Sequence, residues 1–165
     1  MPDVDLRPLA PADEAAAEAL LDATMAGRHQ SRLGESHDVL ALDSLGAWDG
    51  DRLVGLATWS PPDAAGRSEL AVLAVAEDRQ AQGLGALLVD AVAMAALHAG
   101  ATTQWLVTTN DNLDALRLYQ RHAYRLAELH PGAVDESRRH KPTIPPVGDY
   151  GIPLRDELVL ERPLA

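Results

Sequence analysis

An α/β fold on a mixed sheet is the architecture this sequence predicts, and three observations carry that reading. Residues 45–59, LGAWDGDRLVGLATW, place two alternating apolar runs around Asp49-Gly50-Asp51, the pattern of a β-hairpin. Residues 69–76, ELAVLAVA, form a mostly apolar run that suits a strand buried on both faces. Between 83 and 99, Leu84, Leu87, Leu88, Ala91, Val92 and Ala95 recur at three- and four-residue steps, which is one face of a helix. Strands that occur both in hairpins and beside helices call for a mixed sheet.

The remaining elements follow in order. VDLRPL (4–9) alternates and reads as a first strand. PADEAAAEALLDATM (11–25) reads as a helix, with Pro11 near its start and acids in the first turn, where the helix dipole favours them. GRHQSRLGESHD (27–38) is polar and glycine-punctuated, so a loop or short helix is expected. PPDAAGRS (61–68) is a turn, and Gly100 supplies a C-terminal stop for the long helix. QWLVTT (104–109) is a strand, and Asn110-Asp111-Asn112 is expected to cap the helix LDALRLYQRHA. YRLAEL (124–129) returns as strand, 130–153 mixes a short helix with a proline-rich loop, and RDELVLE (155–161) is a final strand. With no repeat and no dividing linker, one domain over residues 1–165 is expected.

Composition narrows the function classes. The hydrophobic share is 47%, which argues against disorder. A net charge of -11 argues against a nucleic-acid surface, which needs a basic stripe, and is compatible with a cationic partner or, more commonly, with a generally acidic, soluble surface. The absence of Cys excludes disulfides, thiolate nucleophiles and Cys-ligated metals. The histidines are scattered without ligand spacing, so no metal site is expected. The start lacks a signal-peptide layout, and no apolar run reaches the roughly 20 residues of a membrane span, so a cytoplasmic location off the membrane is expected.

The stretch EDRQAQGLGALLVDAV (77–92) poses the chemical question, because Gly83 and Gly85 stand where a helix begins. Gly costs up to about 1 kcal/mol relative to Ala inside a helix. The first turn leaves backbone N–H groups unpaired, and without Cβ atoms a phosphate approaches them closely. Gln80-Ala81-Gln82-Gly83-Leu84-Gly85 therefore suits a pyrophosphate cradle beside Arg79, and equally a plain tight turn. A Walker A loop is excluded, since Ala86-Leu87 follows the second Gly. A Rossmann fingerprint is excluded too: Leu88 holds its third small position, and the next strand ends in Thr108-Thr109 rather than an acid.

The loop does match the R/Q-x-x-G-x-G/A signature, and here the sequence resembles the GNAT acetyltransferases. LAVLAVAED resembles that superfamily's fourth strand, and Asn112 to Tyr124, NLDALRLYQRHAY, resembles its N-x-x-A-x-x-x-Y-x-x-x-G-F segment. The resemblance is strongest from about 69 to 129. Two departures stand out: Ala81 replaces a frequent Gly, and Ala123-Tyr124 replaces Gly-Phe. If Ala123 needs a positive φ, strain of about 1 kcal/mol or more follows.

The resemblance implies a mostly antiparallel central sheet flanked by helices, with the fourth and fifth strands splayed. It implies acetyl-CoA as acyl donor and a primary amine, on a small molecule or a peptide, as acceptor, acetylated by direct attack in a ternary complex; homodimers are common in the family. The backbone of Leu73, Ala74 and Val75 would then bind pantetheine and the thioester carbonyl, and N–H groups from Gln82, Gly83, Leu84, Gly85 and Ala86 the pyrophosphate. Gln80 opens the signature, and Asn112 either caps its helix or touches the cofactor. Tyr119 aligns with the tyrosine that protonates the departing thiolate, a role a phenol with an ordinary pKa of about 10 can fill; it also suits packing beside Ala115 and Leu116. An ammonium acceptor needs a base, and Glu69 stands eleven residues before Gln80, where histone-type members carry one. A solvated strand-end carboxylate is the plain alternative, and Asn110 or a water chain through Thr108 and Thr109 are the other candidates. His29 and His37 would border the acceptor or belong to a plain surface loop, and Asp149 and Tyr150 of the proline-rich tail would meet the amine or lie in a segment that only covers a sheet edge. The competing function is an acyl-CoA-binding regulatory domain without catalysis.

Overall fold

The computed structural model describes residues 2–165; Met1, the first residue of the expected domain, lies outside the described residues. In chain order the elements are β1 (Asp5–Arg7), α1 (Glu14–Thr24), β2 (His29–Arg32), β3 (Glu35–Asp38), β4 (Asp43–Asp49), β5 (Arg52–Trp59), β6 (Arg67–Val75), α2 (Leu84–His98), β7 (Thr103–Thr109), α3 (Leu113–Arg121), β8 (Arg125–His130), α4 (Ala133–His140) and β9 (Glu157–Pro163). Seven strands form one sheet in the order β1-β4-β5-β6-β7-β9-β8, and β2 with β3 forms a separate hairpin.

Only β6 and β7 run parallel; every other neighbour pair in the main sheet is antiparallel. The parallel pairing covers just Arg67 with Thr103, Ser68 with Gln104 and Glu69 with Trp105. Beyond Glu69 the strands part, because each keeps its outer partner. β6 stays paired with β5 as far as Val75, and β7 with β9 as far as Thr109. The sheet is thus forked at its centre, the splay expected between the fourth and fifth family strands.

The core packs behind the β5–β6 side of the fork. From Leu53 to Trp59 every residue of β5 is buried, with α1 and α2 packed on it. α2 turns Leu84, Leu88, Val89, Val92, Ala93 and Ala96 inward, the apolar periodicity read from the sequence. β8, at the sheet edge, is exposed on both faces except at His130.

Two expectations are corrected. Residues 27–38 are not a loop or short helix but largely the β2–β3 hairpin. Its turn puts Leu33 (φ 49°) and Gly34 (φ 76°) in the left-handed region, as a two-residue hairpin turn requires. Asn-Gly is the usual sequence signal for that turn, and Leu-Gly hides it. The hairpin rests on α4, where Ser31 Oγ donates to the Ser137 carbonyl at 3.1 Å. Second, Asn112 occupies the N-cap of α3 without a side-chain cap; its amide donates instead to Thr108 Oγ1 at 3.2 Å. Among the described residues no helix is long and apolar enough to cross a membrane.

Candidate active site

Where β6 and β7 part, each strand loses a neighbour. Backbone N–H and C=O groups of alternate residues from Leu70 to Val75 then face a gap rather than a ladder partner. The gap is a cleft of about 670 Å³, walled by β6 from Leu70 to Val75, by β7 from Leu106 to Thr108, by the turn entering α2 and by the inner face of α3. An extended molecule carrying its own amides matches such an edge.

The turn entering α2 closes the open end of the fork. Gln80 N donates to Glu77 O and Leu87 N to Gly83 O; between them, among the described residues, the N–H groups of residues 81–86 have no protein acceptor. Six consecutive free amides at a helix start, with the dipole behind them, make a site for an anion. Gly83 is the N-cap of α2 with φ 87°, a conformation that strains any L side chain. At Gly85 a Cβ would lie 3.3 Å from Leu118 Cδ2 and 3.9 Å from Leu73 Cδ2, so a larger residue would fill the point where α2, α3 and β6 converge. The glycines therefore have different jobs: one supplies the turn, the other keeps the cleft open.

Leu73, Ala74, Val75, Gln80, Gly83, Leu84, Gly85, Ala86, Asn112 and Tyr119 all line the cleft. Gln82 does not line it; its side chain accepts from Arg79 Nε at 2.9 Å and donates to Asp78 O at 3.2 Å. Gln80 donates its amide to Val75 O at 3.2 Å, joining the loop to the strand end. Arg79 is paired with Asp49 at 2.6 Å. Arg117, which the sequence reading passed over, also lines the cleft, and among the described residues it forms no ion pair. The available signal was helical spacing: Asp114, Arg117 and Leu118 lie at i, i+3 and i+4 and all face the cleft.

Tyr119 is buried, its ring edge-on to Tyr124 at 5.6 Å between centroids. Tyr124 is fixed by donating its hydroxyl to Gln104 Oε1. The Tyr119 hydroxyl has no protein partner among the described residues. Burial pushes its pKa above the ordinary phenol value, since a phenolate there would be poorly solvated. The positive φ anticipated at Ala123 is present, at 68°, and Ala81 stands at 59°.

Glu69 sits at the closed end of the fork rather than in the cleft, with 5% of its surface exposed. Arg32 of the hairpin binds it with Nε and Nη2, one to each carboxylate oxygen. Asn110 is engaged at both ends of its side chain: its carbonyl oxygen accepts from the amides of Arg155 and Asp156, both at 3.0 Å, and its amide donates to Pro153 O at 2.9 Å. It anchors the entry to β9. Thr109 Oγ1 donates to Asp111, whose other oxygen accepts from Asp149 N at 2.9 Å. Asp149 lines the cleft, and the exposed Tyr150 reaches α3 by donating to Asp114 at 2.7 Å. His29 and His37 lie on the hairpin, away from the cleft. Among the described residues no three His, Asp or Glu side chains gather as a metal site.

The family model described as the acetyltransferase (GNAT) family matches residues 13–124, more than half of the chain. YdhI, an uncharacterized protein of Bacillus subtilis (strain 168), is 41% identical over 81 residues, which are 49% of this chain and 51% of that protein. YxbD of the same organism, also uncharacterized, is 41% identical over 83 residues, 50% of this chain and 52% of that protein. The chain spans about half the length of the curated relatives it matches. Among solved structures, the Bacillus subtilis acetyltransferase in complex with CoA superposes with a TM-score of 0.77 at 21% identity, over 99% of this chain and 100% of that one. A GNAT family acetyltransferase from Elizabethkingia anophelis with acetyl-CoA bound gives 0.71 at 19%, over 99% and 100%. The IAA acetyltransferase from Bacillus cereus gives 0.76 at 20%, over 98% and 100%. At these identities the likeness to solved structures is one of fold.

Proposed function

The chain belongs to the acetyltransferase (GNAT) family, and from that premise we propose that it is an N-acetyltransferase carrying an acetyl group from acetyl-CoA to a primary amine, by direct attack with both substrates bound. The observation that carries the reading is the run of free amides from 81 to 86 at the open end of the forked sheet. Acetyl-CoA supplies the activated thioester and the leaving thiolate. Every other contribution is the protein's.

In this reading the amides from Gly83 to Ala86 hold the pyrophosphate, and Arg117 adds a charge-assisted contact that the acidic chain otherwise lacks. The unpaired edge of β6 at Leu73, Ala74 and Val75 takes the extended arm and fixes the thioester carbonyl. Asn112, held by Thr108, lines the same wall. Tyr119 keeps its proton through the ordinary pH range, because burial raises the phenol, and gives it to sulfur as charge builds there. Glu69 is the proton acceptor for the amine, reached through a chain of waters because it lies outside the cleft and Arg32 occupies both of its oxygens.

The test is calorimetric titration of CoA into the protein, with release of free thiol followed across polyamines, amino acids, aminoglycosides and short peptides. Saturable binding is expected. Gly85→Val is expected to weaken it by roughly tenfold or more, equivalent to about 1.4 kcal/mol. Tyr119→Phe is expected to leave CoA binding within about twofold while lowering kcat by roughly a hundredfold, the lower range for a lost proton donor. A folded protein that takes up no CoA overturns the reading. Tight binding without thiol release on any amine supports a binding domain instead.

A further inference from the structure

Behind the fork, between the β2–β3 hairpin, α4 and the start of β9, lies a second cavity of about 220 Å³. Met25 lines both spaces, and Thr109 at this cavity follows Thr108 in the wall of the cleft. The volume is below the roughly 300–1,000 Å³ of pockets for drug-sized ligands. It holds roughly seven water-sized groups at about 30 Å³ each.

Two charged groups of opposite sign line it, Glu157 and Lys141. Glu157 has 2% of its surface exposed. Its Oε1 accepts from Ser137 Oγ at 2.7 Å and its Oε2 from Leu33 N at 2.8 Å, and among the described residues no cation pairs with it. A carboxylate can accept about four bonds. Two neutral donors leave a buried anion short of partners, which is costly without a counter-charge. Lys141 donates its ammonium to the carbonyl oxygens of His29 at 3.0 Å and Met25 at 3.4 Å, and it too lacks an ion-pair partner among the described residues. One of its three N–H donors is left over. Burial lowers its pKa, as expected for a cation without a neutralising partner.

We propose that this cavity is the acceptor pocket and that it takes a small zwitterion of the α-amino acid class, its ammonium facing Glu157 and its carboxylate facing Lys141. The proposal rests on the acetyl-transfer reading of the fork. Register puts the pocket on the same face of the sheet as Glu69. Glu69 is opposite Trp105 and Glu157 opposite Thr109, and Trp105 and Thr109 share one face of β7 by the period of two. Consecutive hairpin residues bridge the two acids, Arg32 to Glu69 and Leu33 to Glu157. Val134, Ile144 and Pro145 make part of the wall apolar, which suits a short aliphatic side chain. A diamine is disfavoured, since its second cation would meet Lys141.

The experiment follows thiol release from acetyl-CoA with the intact protein and three matched acceptor sets: glycine, alanine and valine; their carboxamides; and diamines of similar length. CoA binding is measured in parallel by calorimetry. The amino acids are expected to exceed the carboxamides by at least about tenfold in kcat/KM, the scale on which a site rejects an analogue that leaves a buried polar group unpaired. Lys141→Gln is expected to remove that preference, raising the amino-acid KM by about tenfold with the acetyl-CoA KM within about twofold. Glu157→Gln is expected to raise KM for every acceptor. Equal or better turnover of carboxamides or diamines, no turnover of amino acids with CoA bound, or an unchanged preference in Lys141→Gln overturns the proposal and leaves acetyl transfer standing. Loss of CoA binding itself in the folded wild type overturns both. If Lys141→Gln does not fold, the wild-type comparison of amino acid with carboxamide decides alone.

Discussion

At Ala123 the backbone holds φ 68°, where a Cβ crowds the following carbonyl at a cost of about 1–2 kcal/mol. The strain has a purpose. It lets the chain leave α3 and return at once, with Tyr124 N donating to Tyr119 O at 3.1 Å and the two rings meeting edge to face. Tyr119 is thereby braced with its hydroxyl free. Ala123→Gly should relieve the strain, offset by the roughly 0.4–1 kcal/mol that Gly loses through unfolded-state entropy. A net gain of about 0.5–1 kcal/mol in urea unfolding is expected; a loss of stability would show that Ala123 is not strained. This residue was legible beforehand, because the segment's spacing put an Ala where a Gly belongs. The companion strain at Leu33 was not, because Leu-Gly carries no turn signal of its own.

Among the elements, the β2–β3 hairpin depends most on partners distant in sequence. Its strands are four residues each and mostly polar, too little to stand alone. It is held by Arg32 on Glu69, Leu33 N on Glu157 and Lys141 on the His29 carbonyl. The Arg32–Glu69 side chains retain only 13% and 7% exposure, so removing one partner strands the other's charge. Arg32→Met alone is expected to cost about 3 kcal/mol or more, and the double variant Arg32→Met/Glu69→Leu to recover most of it. Chemical denaturation of the single and double variants measures this; additive losses would mean the pair is energetically idle. The same contacts explain what the sequence withheld. The long helices and core strands announce themselves by local period, whereas 27–38 becomes β-structure through residues up to 124 positions away. The glycine turn entering α2 and Tyr119 were legible as ordered spacing. The pairing of Glu69 with Arg32, the engagement of Asn110 and the cleft position of Arg117 depend on side-chain meetings that spacing does not encode.

For the whole molecule the governing quantity is a net charge of -11. The proposed donor is itself a polyanion, so its approach at long range is uphill, and under the proposed function its capture would fall to the amides at the start of α2 and to Arg117. Screening length falls from about 30 Å at 0.01 M salt to about 10 Å at 0.1 M. Over that interval the association rate for CoA should rise by a few-fold, the reverse of electrostatically steered binding between opposite charges. Stopped-flow mixing at a salt series reads it, and a rate that falls with salt would show that the local cations outweigh the overall field.

The fork also divides the main sheet mechanically. On one side stand β1, β4, β5 and β6, on the other β7, β9 and β8, and three residue pairs are the whole of the seam between β6 and β7. A guest bonded to both lips acts as a missing rung. The substrate, in that case, finishes the architecture of the protein that consumes it.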